Sequence, residues 1–187
     1  MTRFGFELRA LFVVLGLATL VALDAGAASA QGTARPMDAG LQLLGNEPSY
    51  LDLAAGAFDI QGHRESPTSG EARVEFRFGQ KFLDIGPSAG VLVTTRGGVF
   101  GYAGFYGDIV WNRFVLTPLG AVGFYRRGSD EDLGGSFQFR ISANLAYELD
   151  GGSRLGVQFA HISNAGIHKR NPGDNEMLAT YGIPLPF

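Results

Sequence analysis

The feature that most constrains this chain is a strict alternation of apolar and polar residues along several segments. In 72–78, Ala, Val and Phe alternate with Arg and Glu; in 137–147, aromatic and aliphatic residues alternate with mainly polar ones. A period of two is typical of a β-strand whose two faces meet two different environments. These segments are also longer than the usual globular strand of about five or six residues. The alternation therefore predicts an all-β chain built from long, two-sided strands.

Eight such segments follow one another along the chain. They lie near 49–60, 71–80, 83–95, 98–110, 113–125, 136–149, 153–164 and 175–186. Each is at least as long as the roughly 9–11 residues that a tilted strand needs to cross a bilayer, and an even number of strands can close into a barrel without a free edge. Long polar loops at one end and tight turns at the other are typical of outer-membrane barrels. We therefore predict an eight-stranded antiparallel transmembrane β-barrel.

The first 30 residues have the pattern of a cleavable signal peptide. A weakly basic start precedes an apolar run at 10–23, and the sequence Ala28-Ser29-Ala30 provides a small-residue cleavage site. The run is short for a membrane-spanning helix, which needs about 20 residues. The predicted organisation is a signal peptide at 1–30, an N-terminal periplasmic segment at 31–48 and the barrel at 49–187.

Composition excludes several classes of function. The 187 residues contain no Cys and three His, and their formal net charge is −3 at pH 7. Without Cys there is no disulfide framework and no Cys-ligated zinc site, and a slightly acidic chain offers no basic surface for nucleic acid. The histidines are too few and too scattered to predict a metal site. We expect no metal, no organic cofactor and no nucleic-acid partner.

A polar pair interrupts the apolar face of the seventh segment. Leu155, Val157 and Phe159 share one face with His161 and Ser163, so the lipid-facing row ends in two polar residues beside a long loop. Two residues apart on a strand, the backbones of this pair are about 6–7 Å apart. A neutral imidazole within reach of a serine hydroxyl can take its proton as the oxygen attacks an ester carbonyl. Spacing alone leaves two alternatives, a catalytic pair and an interfacial pair that binds lipid headgroups.

Three short sequences lie at the end of the chain: His-Ile-Ser-Asn-Ala-Gly at 161–166, Asn-Pro-Gly at 171–173, and a last strand that ends in Ile-Pro at 183–184. Together they resemble the lipid A 3-O-deacylase (PagL) family of outer-membrane hydrolases. The resemblance implies an eight-stranded barrel with a Ser-His-Glu triad on its outer surface, which removes the ester-linked acyl chain at position 3 of lipid A. It makes Ser163 the nucleophile and His161 the general base, and it makes Asn164 a candidate oxyanion donor.

The third member of the triad is where this sequence departs from the family. The family has its Glu fourteen residues after the His, a position that Asn175 occupies here, and Glu176 follows it. Asn175 shares the outward face with Met177, whereas Glu176 belongs to the lumen-facing row. A bulge or an extra loop residue would turn Glu176 outward and complete the triad. Otherwise Asn175 orients the imidazole, and the enzyme is weaker because an amide lacks a full charge. The predicted third member is Glu176, with Asn175 as the alternative.

Sequence and resemblance together predict a carboxylic ester hydrolase of the outer membrane that acts on the lipid A of lipopolysaccharide. The expected partners are this lipid and the membrane, with a homodimer left open. Four basic residues on predicted outer loops either meet lipid phosphates or are ordinary solvated charges: Arg126, Arg127, Lys169 and Arg170. Two rival functions are a non-enzymatic outer-membrane barrel, structural or adhesive, and a soluble barrel whose central cavity is lined by the Phe rows.

Overall fold

The computed structural model describes residues 34–37, 40–62 and 67–186. Its strands are β1 (Ala34–Pro36), β2 (Gln42–Leu44), β3 (Tyr50–Phe58), β4 (Ser69–Arg77), β5 (Gly86–Thr94), β6 (Val99–Tyr106), β7 (Asp108–Trp111), β8 (Phe114–Arg126), β9 (Phe137–Glu148), β10 (Arg154–Ser163) and β11 (Asp174–Pro184). The predicted signal peptide at 1–30 lies outside the described residues, and the periplasmic location of 31–48 stays a prediction. In the described part of the chain, no helix has the length and hydrophobicity needed to span a bilayer.

The strands from β3 onward close into an antiparallel barrel. Neighbours pair in the order β3, β4, β5, β6, β8, β9, β10 and β11, and β11 pairs back onto β3. β6 and β7 are two halves of one barrel strand, interrupted at Gly107, because both keep the same register against β8. The predicted eight-stranded antiparallel barrel is therefore confirmed, and each of the eight sequence segments corresponds to one barrel strand.

The two ends of the barrel carry different connections. The end that carries the connections 59–68, 95–98, 127–136 and 164–173 is called the long-loop end, and the end that carries 78–85, 112–113 and 149–153 the short-turn end. The predicted segments 71–80 and 83–95 leave only 81–82 between them, whereas the connection spans 78–85. Leu83 and Asp84 have positive φ angles of 51° and 65°, and Phe82 pairs with Ile85 in an isolated bridge. This connection therefore folds as a compact turn of its own instead of extending β4 and β5.

The charged residues of the strands face the lumen. In β4, Arg73, Glu75 and Arg77 are buried, whereas the residues between them are half-exposed. Arg73 pairs with Asp52 of β3, and its Nη1 lies 2.8 Å from Oε2 of Glu75. Nε of Arg77 lies 2.7 Å from Oε1 of the same Glu75. Because buried charges are tolerated when opposite charges and hydrogen bonds satisfy them, this network fills the lumen beside β3 and β4.

Large apolar side chains lie on the outside of the barrel. Exposed examples are Val91, Phe105, Leu116, Val122, Ile141, Leu145, Val157, Phe159 and Met177. An apolar exterior around a polar interior is typical of a barrel surrounded by lipid. A soluble barrel needs the Phe rows of 72–78 and 137–147 inside, yet Phe78 is 46% exposed. The structure therefore contradicts the soluble ligand-binding alternative.

Two short strands extend the sheet at the short-turn end. β1 pairs with β2, and β2 pairs with β7, which places Leu44 opposite Asp108. Just beyond β2, Glu47 lies 2.6 Å from Nζ of Lys81 and 2.8 Å from Nη2 of Arg154. Lys81 also lies 2.7 Å from Asp108. These ion pairs fix the segment before the barrel to the end that is opposite His161 and Ser163.

Candidate active site

His161 and Ser163 lie on the outward face of β10 at the long-loop end. Both side chains are half-buried, while Ile162 between them is fully buried toward the lumen. Their partners on β9 are Ile141 opposite His161 and Phe139 opposite Ser163. His161 and Ser163 thus both face outward, as the alternation predicts. They lie at the long-loop edge of an apolar wall.

Asn175 of β11 is the residue directly opposite His161, and its side chain holds the imidazole. Nδ1 of His161 lies 2.8 Å from Oδ1 of Asn175. An amide oxygen accepts hydrogen bonds and does not donate them, so Nδ1 carries a proton, and in the neutral imidazole Nε2 is then the proton acceptor. This is the tautomer that a histidine general base requires.

Glu176 points the other way. Its side chain is fully buried in the lumen, and its Oε2 accepts a hydrogen bond of 2.7 Å from Nη2 of Arg140. The register between β10 and β11 runs without a bulge through the pairs Ala160–Glu176 and His161–Asn175. The bulge expected to turn Glu176 outward is therefore absent. The structure does not bring Glu176 to the imidazole, and Asn175 occupies that position instead.

Asn164, the predicted oxyanion donor, directly follows β10, and its side chain is turned away from the site. Its side chain is fully buried, and its Nδ2 donates to the carbonyl oxygens of Leu133 and Arg170, both at 2.7 Å. Its Oδ1 accepts from the backbone N–H of Gly166 at 3.0 Å. Both amide protons are in use, so the Asn164 side chain holds the β10–β11 loop and has no proton left for an oxyanion.

Gly173 is a site residue that the sequence did not identify. Its φ is +69°, and a Cβ atom at this position would lie 2.8 Å from Cε1 and 3.3 Å from Nε2 of His161. Glycine therefore keeps the Nε2 edge of the imidazole uncrowded. The Asn-Pro-Gly sequence at 171–173 is a turn signal that hints at a positive φ. Its contact with His161 follows only from the folded loop.

Replacing Gly173 with alanine is expected to lower about tenfold the rate of any reaction that uses His161 as a base, because the new methyl group displaces the imidazole or the loop by enough to disturb proton transfer. Gly166 in the same loop is the matched control, since its φ is +80° but a Cβ there meets nothing within 4 Å. Gly166→Ala carries similar backbone strain and is expected to keep its rate. Steady-state kinetics on both refolded variants test this, and equal rates for the two would contradict the role of Gly173.

The chemistry available at this site is that of a serine and a histidine base. The described residues include no hydrogen bond between His161 and Ser163, so proton transfer requires a side-chain rotation that brings the hydroxyl to Nε2. Within the described ranges, no group of three or more His, Cys, Asp or Glu side chains is placed to hold a metal ion. The serine and the histidine base are the groups of this site that can activate an alcohol nucleophile.

The four basic residues predicted on the outer loops fall into two pairs. Arg170 forms an ion pair with Glu131, and Arg127 lies 3.5 Å from Asp132. The other two, Arg126 and Lys169, are exposed and have no ion-pair partner among the described residues. Arg170 thus ties the connection 164–173 to the connection 127–136, Arg127 pairs within 127–136, and Arg126 and Lys169 are free to meet an anion.

Comparisons with a family model and with curated proteins agree on one family. The family model described as "Lipid A 3-O-deacylase (PagL)" matches residues 49–184. A Bordetella bronchiseptica protein named Lipid A deacylase PagL is 38% identical over 69 residues, which are 36% of this chain and 39% of that protein. A Pseudomonas aeruginosa protein of the same name is 30% identical over 82 residues, which are 43% of this chain and 47% of that protein. The chain thus spans less than half the length of these curated relatives.

A solved structure supports the same fold. The crystal structure of the outer membrane enzyme PagL superposes with a TM-score of 0.56 at 18% sequence identity. The match covers 73% of this chain and 99% of that one.

Proposed function

Since the chain belongs to the lipid A 3-O-deacylase (PagL) family, we propose that it is an outer-membrane hydrolase that removes the 3-O-linked acyl chain of lipid A. Ser163 is the nucleophile, His161 is the general base, and Asn175 orients the imidazole. The observation that carries this proposal is the hydrogen bond between Nδ1 of His161 and Asn175 on the lipid-facing side of the barrel. A surface histidine held with Nε2 free, two residues from a serine, is arranged for acyl transfer.

The reaction divides into two acyl transfers. Nε2 of His161 takes the hydroxyl proton of Ser163 as the oxygen attacks the ester carbonyl, and the resulting imidazolium gives that proton to the departing sugar oxygen. Water then attacks the acyl-serine with the same base, which releases a free fatty acid and restores the serine. Asn175 keeps the Nδ1 proton in place through both steps. Because its Oδ1 carries only a partial charge, it stabilises the imidazolium less than a carboxylate does.

The depth of the site agrees with an ester at the top of the hydrocarbon layer. Trp111, Phe114 and Tyr147 form an aromatic cluster near the short-turn end, with ring centroids 6.2 and 5.4 Å apart. Tyr147 is the partner of Leu155, eight residues before Ser163 on β10. Eight residues on a strand tilted by about 40° rise roughly 20 Å. In an apolar band about 25 Å tall, Ser163 thus lies close to the outer boundary, where lipid esters join their headgroup.

A serine-directed fluorophosphonate tests whether the barrel is an enzyme at all. The reagent is expected to label the refolded wild-type protein on Ser163, as peptide mapping by mass spectrometry would show, and to leave His161→Ala almost unlabelled because its serine is not activated. Labelling that is absent from the folded wild type, or that is equal in both proteins, would favour the non-enzymatic structural or adhesive barrel.

Removing the free cations is expected to weaken binding of phosphorylated substrate. The double change Arg126→Gln and Lys169→Gln should raise KM for bisphosphorylated lipid A by about threefold to tenfold, since each exposed charge contributes up to about 1 kcal/mol. KM for a dephosphorylated lipid A should stay unchanged. The matched control removes the two ion-paired cations, Arg127 and Arg170, and is expected to affect thermal stability more than KM. Equal effects of the two double changes would contradict a phosphate-binding role.

A further inference from the structure

The connection 164–173, which links β10 to β11, borders the site but has few anchors of its own. Residues 165–167 and 169–171 are exposed, and within this connection only the first and the last residue are buried. The last one, Gly173, lies against the imidazole of His161. A shift of this connection therefore reaches the general base of the proposed reaction.

The neighbouring connection 127–136, which links β8 to β9, is anchored to the barrel. The Leu133 side chain is 1% exposed and belongs to the buried apolar cluster of the barrel. Asp130 accepts hydrogen bonds from side chains at the ends of β4 and β5. From the lumen side of β9, Nε2 of Gln138 donates to the carbonyl oxygen of Gly135 at 2.6 Å. Because none of these anchors comes from the β10–β11 connection, they fix 127–136 to the barrel by themselves.

The two connections are joined by hydrogen bonds and by an ion pair. Nδ2 of Asn164 donates to the carbonyl oxygen of Leu133 in one connection and to that of Arg170 in the other, both at 2.7 Å. The guanidinium of Arg170 also pairs with Glu131. The exposed connection is therefore supported by the anchored one at Arg170, shortly before Gly173.

Two glycines let the connections approach this closely. A Cβ atom at Gly134 would lie 1.9 Å from the carbonyl oxygen of Arg170, and one at Gly135 would lie 2.2 Å from Nε2 of His168. Gly134 also has a φ of +85°, which residues with a side chain rarely adopt. The contact of Gly134 is with backbone, so a methyl group there can be accommodated only if the Arg170 peptide moves.

From these contacts we infer that the β8–β9 connection positions the β10–β11 connection, and that Gly134 is the positioning residue through which it acts on His161. The inference rests on the proposed function and makes it more specific, because it extends the machinery of the reaction to a second loop. Gly134 fixes the place of the Arg170 peptide, and the chain from there to Gly173 sets the space beside Nε2 of His161. A displacement of about 1 Å at a reacting group can slow a reaction by about a hundredfold.

Replacing Gly134 with alanine tests this inference against a closely matched control. Gly128 lies in the same connection and has a φ of +59°, and a Cβ atom there would lie 2.4 Å from the carbonyl carbon of Gly97, which belongs to the β5–β6 connection. Both variants are expected to lower the midpoint of thermal unfolding. Gly134→Ala should also lower kcat by about tenfold with KM unchanged, since the base is displaced but the lipid-facing wall is not. Gly128→Ala should keep the wild-type kcat. Equal values of kcat in the two variants would overturn the inference.

A second pair of variants avoids a strained backbone. Gly135 has no positive φ, so alanine is compatible with its backbone, and the new methyl group meets the ring of His168. Gly135→Ala is expected to lower kcat by about threefold to tenfold. Adding His168→Ala removes the ring and should restore the kcat of His168→Ala alone. An unchanged kcat in Gly135→Ala, or a loss that persists in the double variant, would overturn the inference.

Hydrogen exchange tests the coupling of the two connections without turnover. The backbone N–H of Asn164 donates to Oδ1 of Asn171, and that of Ile167 donates to the carbonyl oxygen of Asn164, both at 3.0 Å. In detergent-refolded protein, these two amides are expected to exchange about tenfold faster in Gly134→Ala than in Gly128→Ala, because only the first change displaces their connection. Equal exchange in the two variants would overturn the inference. Wild-type protein that releases no acyl chain would instead contradict the proposed function, and the exchange difference would still report the coupling.

Discussion

Replacing Asn175 with aspartate is expected to raise kcat by about tenfold. The two side chains have the same shape, so an aspartate oxygen takes the place of Oδ1, which lies 2.8 Å from Nδ1 of His161. A hydrogen bond to an ionised partner contributes about 1.5–3 kcal/mol, against about 1 kcal/mol for a neutral one, and the gain appears when the imidazole becomes an imidazolium.

Two further variants separate the roles of Asn175 and Glu176. Asn175→Leu removes the acceptor of the Nδ1 proton and is expected to lower kcat by about a hundredfold, since the imidazole then loses its tautomer and orientation. Glu176→Gln leaves the outward face unchanged and is expected to keep kcat, but to lower the midpoint of thermal unfolding by removing the charge that faces Arg140. Kinetics with the opposite pattern, in which Glu176→Gln is inactive and Asn175→Leu is active, would make Glu176 the third member.

Replacing Ser163 with alanine is expected to lower kcat by about 10⁴- to 10⁶-fold, the range seen when a serine hydrolase loses its nucleophile. The side chain of Ser163 is half-buried on the outward face of β10, so its loss should leave the barrel intact, as unchanged heat-modified mobility in gel electrophoresis would show. His161→Ala should have an effect of similar size. The double variant should be little slower than either single one, because the two residues act as a unit. Additive losses would show that they act independently.

The fold was predictable because a two-residue period shows directly which side chains share a face. The row of charges in β4 and the row of apolar residues in β10 alternate so regularly that strand identity and facing follow together. The turn at 78–85 was not predictable in the same way. Its positive φ angles are carried by Leu83 and Asp84, so the one glycine of the turn, Gly79, does not mark where the chain reverses.

The sequence predicts which side chains of the site point outward, because the alternation alone decides this. Alternation placed His161, Ser163 and Asn175 on one face and Glu176 on the other, and the preference for Glu176 came from the chemistry of a charged triad member. The unbroken register between β10 and β11 leaves no bulge to satisfy that preference. The role of Asn164 depended on a contact with Leu133, 31 residues away in the sequence, which no local pattern reveals.

The most direct test of the proposed function is mass spectrometry of lipid A after incubation with detergent-refolded wild-type protein, with Ser163→Ala beside it. Wild-type protein is expected to lower the mass of lipid A by one acyl chain, with a matching free fatty acid, and fragmentation should assign the loss to position 3. Phospholipids in the same micelles should stay intact, and Ser163→Ala should leave lipid A unchanged. An unchanged mass with folded wild-type protein, or the same loss with Ser163→Ala, would contradict a lipid A deacylase that acts through Ser163.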